Sequence, residues 1–133
     1  MKLSKEDATE LLKEINFRNG LVVAIAQEKK TGEILMVAFQ DREAVMETLT
    51  TGRMHYWSRS RKRLWMKGEE SGNVQEVVGV KIDCDGDAIL YEVRQKGGAC
   101  HEGYRSCFFR KIKGGKFIVW QKKIFRPEKV YRK

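Results

Sequence analysis

The sequence predicts an α+β fold made of twisted antiparallel sheets with a few short helices. Three observations carry this expectation. Runs rich in β-branched and aromatic residues recur from residue 54 to residue 125, with glycine-containing turns between them. Two capped amphipathic segments lie in the first 52 residues. A single proline, Pro127, and the lack of any repeat or low-complexity tract leave no linker to divide the 133 residues. One domain over residues 1–133 is expected, large enough to bury a core without disulfide staples.

Ser4, followed by Asp7 and the apolar positions Ala8, Leu11, Leu12 and Ile15, fits an N-capped amphipathic helix, with Asn19-Gly20 as its terminator. Residues 21–27 and 33–39 read as two strands of a hairpin, because Lys29-Lys30-Thr31-Gly32 between them supplies turn chemistry. Asp41 caps a second short helix whose apolar stripe is Ala44, Val45 and Leu49, and Gly52 stands where a left-handed C-terminal cap is wanted. Strands are then expected at 54–59, 63–66, 74–83, 88–95, 106–111 and 116–125. Glu70-Ser71-Gly72-Asn73 and Lys113-Gly114-Gly115-Lys116 are among the turns, and antiparallel pairing dominates the plan.

With 27 lysines and arginines against 18 acidic residues the formal charge is +9, so the chain attracts anions. Nucleic acid, an anionic membrane surface and a polyphosphorylated metabolite all qualify. Lys122, Lys123, Lys129, Arg132 and Lys133 fit a solvated basic surface. No N-terminal run resembles a signal peptide and no stretch is long and apolar enough to span a bilayer, so a cytoplasmic protein without membrane contact is expected. Three cysteines, an odd number, argue against a disulfide framework and leave buried thiols or metal ligands.

The chemistry concentrates between residues 83 and 107. In an extended Asp83-Cys84-Asp85-Gly86-Asp87 the three carboxylates would share one face, with Cys84 on the other. Three crowded carboxylates repel one another, and a bound cation relieves that repulsion. An EF-hand beginning at Asp83 is excluded, because its sixth and twelfth positions need Gly and Glu where Ala88 and Arg94 stand; a solvated acidic turn is the other reading of the triplet. Cys84, Cys100 and Cys107 are not the paired knuckles of a structural zinc site. Three thiolates leave a fourth position open for water, the arrangement of a catalytic zinc. They also leave the site net negative, which weakens the metal as a Lewis acid, so help from a nearby cation or base is expected.

His101, beside Cys100, is the candidate base, with a fourth zinc ligand or a core histidine as the other readings; His55 has no such context and reads as structural. A second concentrated stretch is Trp57-Ser58-Arg59-Ser60-Arg61-Lys62-Arg63-Leu64-Trp65, followed by Lys67-Gly68-Glu69-Glu70-Ser71-Gly72. It carries hydroxyls, guanidinium forks and glycine amides suited to phosphate. Taken alone it also fits a nucleic-acid patch or a charged hairpin with alternating buried tryptophans.

Together with Gln75, Gln95, Ala99-Cys100-His101 and Ser106-Cys107-Phe108, these motifs resemble the phosphoribosyl-AMP cyclohydrolases of histidine biosynthesis, in order and with compatible spacing from about residue 20 to about residue 110. The resemblance implies a hydrolase acting on a cyclic amidine C–N bond. It would open the adenine ring of phosphoribosyl-AMP at N1–C6 to give the formimino carboxamide ribotide. It implies zinc on Cys84, Cys100 and Cys107, magnesium on Asp83, Asp85 and Asp87, and an intertwined homodimer whose zinc ligands come from both subunits. In that setting His101 moves the proton, while Arg59, Arg61 and Lys67, with Ser58 and Ser71, hold the two substrate phosphates. One departure is Glu102, where the family usually has a small hydroxyl residue; a carboxylate there favours the protonated imidazole if it faces the ring and does nothing if it faces away.

Two alternatives fare worse. A nucleobase deaminase of the other zinc-dependent kind needs H-x-E and P-C-x-x-C, and both are absent. A basic nucleic-acid-binding module accounts for the charge but gives the aspartate triplet no purpose, since carboxylates oppose phosphate unless a metal intervenes.

Overall fold

The computed structural model describes residues 1–130; Arg132 and Lys133, assigned above to a solvated basic surface, lie outside them. Helix α1 (Lys5–Leu12) begins where the cap predicts, with Ser4 Oγ accepting from the Asp7 amide at 3.1 Å, and it buries Ala8 and Leu12. It stops at Lys13, well before Asn19-Gly20. The expected last turns are drawn off by tertiary contacts: the Asn16 amide donates to the Gly86 carbonyl at 2.8 Å, and its Nδ2 donates to the Asp85 carbonyl at 3.3 Å. Asn19 (φ 52°) and Gly20 (φ 78°) shape the turn that pairs Arg18 with Leu21.

The hairpin of β1 (Val22–Glu28) and β2 (Ile34–Gln40) forms as predicted. Helix α2 (Arg42–Thr51) follows, capped by Asp41, whose Oδ1 accepts from the Ala44 amide at 2.8 Å, and closed by Gly52 at φ 76°. Ala44, Val45, Thr48 and Leu49 form its buried face. Next come β3 (His55–Ser58), β4 (Arg63–Met66), β5 (Gln75–Ile82) and β6 (Ala88–Gln95). A separate hairpin, β7 (Arg110–Lys113) with β8 (Lys116–Val119), precedes the short α3 (Pro127–Val130).

Six strands form one sheet in the order β4-β3-β2-β1-β6-β5. Every neighbouring pair is antiparallel except β1 and β6, which run parallel, so the sheet is mixed where an antiparallel one was expected. Alternation of buried residues has the same period whichever way a strand runs, and some 60 residues separate these two, so no tight turn dictates their direction. Ala24 pairs with Ile89 and Ala26 with Tyr91, small beside large, on a face buried with Leu35, Met54, Tyr56 and Val77. Leu12 of α1 and Val45 and Leu49 of α2 cover that core.

The strand expected at 106–111 is replaced by a folded loop. Ala99 donates to the Arg105 carbonyl, Cys100 to that of Tyr104, and Cys107 to that of Leu35 at 2.7 Å, leaving strand structure only from Arg110 onward. The strand expected at 116–125 likewise ends at Val119. His55, expected to be structural, is buried on β3 with Nδ1 against the Arg53 carbonyl at 2.8 Å.

Candidate active site

Asp83, Asp85 and Asp87 converge, though not by the extended alternation anticipated. Residues 83–87 form the tight turn between β5 and β6, with Asp83 N donating to the Ala88 carbonyl and Gly86, at φ 75°, donating to Asp83. Carboxylate oxygens of all three lie within 4.8 Å of one another. Arg18 reaches in from the preceding segment, its Nε 3.0 Å from Asp87 and a terminal nitrogen 3.6 Å from Asp85. Partial desolvation pushes Asp83 up, but the Ala88 amide and the neighbouring aspartates outweigh it and hold its carboxyl below the usual range. Asp87 shifts the other way, raised by Asp85, by desolvation and by Asp83. The crowding therefore concentrates proton affinity on one member, the condition a divalent cation relieves.

The cysteines divide two and one. Cys100 is buried and close enough to Cys107 to perturb its thiol, whereas Cys84 is exposed on the aspartate turn. Among the described residues the only group of three or more potential ligands within metal-holding distance is the aspartate triplet, so one chain does not gather its three thiols. Arg105 holds the loop carrying Cys100 and Cys107: it pairs with the buried Glu28, lies 3.7 Å from Glu33, and donates to the Gly97 carbonyl at 2.9 Å. Ser106 Oγ donates to the Ile34 carbonyl at 2.8 Å. Neither Arg105 nor Glu28 was singled out from the sequence, because their partners lie 77 residues apart in the chain.

Lys67 is 7% exposed and donates from Nζ to the Ala99 carbonyl, next to Cys100. Burial lowers its pKa, and the Cys107 and Cys100 thiolates oppose that. Burial pushes the Cys107 thiol up to about 11 although part of the residue remains exposed; Cys100 adds to the rise and Lys67 opposes it. Glu102 bears on Cys107, raising its thiol further.

A cavity of about 800 Å³ opens beside this loop, lined by Ser58, Arg61, Lys67, Ser71 and His101 from the predicted set. Arg59 is not part of that lining; its guanidinium lies 4.1 Å over the Phe39 ring. Arg63, Trp65, Glu69, Pro127 and Glu128 also line the cavity. Arg63 and Trp65 were legible as members of the basic aromatic run, while nothing in the sequence marked Pro127 or Glu128. Gly68 turns this wall at φ 85°, where a Cβ would come within 2.5 Å of the Val74 amide nitrogen.

The donor set suits two different ions. Adjacent thiols on one loop, with a third thiol on a turn exposed to other molecules, match a thiolate metal, and three converging carboxylates match a hard divalent cation.

A family model described as phosphoribosyl-AMP cyclohydrolase matches residues 36–109. Curated relatives of that name include one from Methanothermobacter thermautotrophicus, 54% identical over 96% of each chain. Another, from Methanococcoides burtonii, is 57% identical over 85% of this chain and 91% of its own. A third, from Chlorobium chlorochromatii, is 50% identical over the whole of this chain and 98% of its own. With the cysteine loop, the aspartate turn and most of the cavity-lining residues carried inside the matched span, the chain belongs to the phosphoribosyl-AMP cyclohydrolase family.

Proposed function

We propose that this chain is a single catalytic domain that hydrolyses phosphoribosyl-AMP to the formimino carboxamide ribotide in histidine biosynthesis. It would act as a cytoplasmic, zinc- and magnesium-dependent homodimer. One observation carries the reading beyond family membership: His101 and the phosphate-type groups Ser58, Arg61 and Ser71 line a single cavity beside the Cys100–Cys107 pair. No described helix is long and apolar enough to cross a membrane.

In the reaction a water oxygen bonds to C6, the C6–N1 bond breaks and N1 takes up a proton. C6 is electrophilic because N1 carries a ribosyl group and the ring is cationic. Zinc held by Cys100 and Cys107 of one subunit and Cys84 of the other would supply the Lewis acidity that makes water nucleophilic near neutral pH. His101, exposed on the cavity wall, takes the water's proton and returns one to N1. Arg61 and the hydroxyls of Ser58 and Ser71 hold phosphate oxygens, Arg63 adds positive charge to the same wall, and the Trp65 ring there offers an apolar face to the purine. Arg59 reaches a phosphate only by leaving Phe39. Asp83, Asp85 and Asp87 hold magnesium, which would take over the charge relief that Arg18 gives two of them.

Purified protein supplied with zinc, magnesium and phosphoribosyl-AMP is expected to consume the intact purine spectrum. His101→Ala is expected to lose about 10²–10⁴-fold in kcat while keeping its zinc. No turnover by folded, metal-loaded protein would overturn the assignment.

A further inference from the structure

Lys67 presents a problem that phosphate binding does not solve. A buried lysine ordinarily finds a carboxylate, because an uncompensated charge in low dielectric is costly. Yet among the described residues Lys67 forms no ion pair. Its Nζ donates to the Ala99 carbonyl, lies 5.6 Å from the centroid of Trp65 and falls within electrostatic reach of Cys100 and Cys107. The groups in its electrostatic reach that can become anions are therefore the two cysteine sulfurs, which carry negative charge once they bind a metal as thiolates. Lys67 lines the cavity, and its nitrogen is tied to the cysteine loop through the Ala99 carbonyl.

We infer that Lys67 is a positioning residue for the metal site, its ammonium balancing the negative charge of the zinc–thiolate centre and fixing the peptide that carries Cys100. The inference rests on the reading of Cys84, Cys100 and Cys107 as zinc ligands. A zinc ion with three thiolates carries a net charge of −1, and one adjacent ammonium brings the local sum to zero. The compensation expected from the sequence for a thiolate-rich catalytic metal thus has a source within the chain. Lys67 projects from the end of β4, and its backbone amide donates to the Met54 carbonyl at 2.9 Å, so the charge is delivered from the sheet rather than from a mobile arm.

Zinc affinity, read by competition with a chromophoric chelator on the purified full chain, separates charge from hydrogen bonding without reference to turnover. Lys67→Gln keeps an N–H donor for Ala99 but loses the charge, and Lys67→Met fills the same buried slot with neither. Both are expected to bind zinc about 10–100-fold more weakly, the usual cost of removing a group that supports a metal's ligands, whereas Lys67→Arg stays within about threefold of wild type. Lys67→Gln at wild-type affinity, or Lys67→Arg as weak as Lys67→Met, overturns the inference while leaving the cysteine assignment standing. Wild-type protein that takes up no zinc overturns both together.

Discussion

Cys107 shows what a single residue contributes that its letter does not announce. Its thiol is pushed up to about 11, first by burial and then by Cys100, with Lys67 opposing. At neutral pH the metal-free protein therefore carries Cys107 as a thiol, and a metal that binds the thiolate must displace its proton. The sign follows: raising the pH removes a competitor for the site, so zinc affinity climbs with pH throughout the range below 11. About tenfold per pH unit is expected for each proton released between pH 6 and pH 8, measured by chelator competition at fixed ionic strength. Affinity that stayed flat over that range would mean that Cys107 is not a ligand or is already ionised. At this scale the sequence was informative where residue type alone limits the chemistry, as with the three cysteines, the three aspartates and His101. For Lys67, read as a phosphate contact, the structure keeps the residue in the cavity wall but adds burial and a bond to the Ala99 carbonyl, 32 residues away, that its neighbours in the chain do not announce.

Strands and loops are held in register by a chain of buried amides. Tyr56 on β3 donates from its hydroxyl to Gln75 Oε1 on β5 at 2.6 Å, and Gln75 Nε2 donates to Gln95 Oε1 on β6 at 2.7 Å. Gln95 Nε2 in turn donates to the Lys96 carbonyl at 2.8 Å and the Asn73 carbonyl at 3.1 Å, the start and end of the two loops that flank the cavity. Gln75 and Tyr56 are both fully buried, so no water replaces a lost partner. Gln75→Leu removes both bonds and strands a hydroxyl and a carbonyl oxygen, a cost of about 2–5 kcal/mol read as a lower urea midpoint. An unchanged midpoint would show that the network adds nothing to stability. Elements with local signatures were the legible ones. The Asp41 and Gly52 caps delimit α2 in the structure as in the sequence, and the β1–β2 hairpin follows its turn residues. The parallel β1–β6 pairing and the loop at 99–109 were not legible, since the first depends on long-range closure of the sheet and the second on carbonyls of Ile34, Leu35 and Gly97 that the loop's own residues do not specify.

The whole molecule leaves two features that one chain does not satisfy. Cys84 stands exposed at the β5–β6 turn, apart from the Cys100–Cys107 pair. Beside that pair in sequence, Phe108, Ile112, Phe117, Val119, Trp120 and Ile124 expose large apolar surfaces on and around the β7–β8 hairpin, the kind of patch that marks an interface. The homodimer proposed above would answer both needs at once. Two-fold symmetry makes the exchange reciprocal: if the turn of one chain meets the cysteine loop of the other, each dimer holds two equivalent sites, each with ligands from both subunits. Mixing tests this directly. Cys84→Ser and Cys107→Ser proteins are each expected to bind no zinc alone. Unfolded together and refolded at equal amounts, half of the dimers are hybrids in a statistical mixture. Each hybrid pairs the intact Cys84 of one chain with the intact Cys100 and Cys107 of the other at one of its two sites. Zinc and turnover should both return to about a quarter of the wild-type level. A site built within one chain predicts no recovery, because every chain in the mixture still lacks one ligand. Recovery of zinc without turnover would separate the metal site from the catalytic assignment, and would point to His101 and the phosphate contacts as the part of the reading to revise.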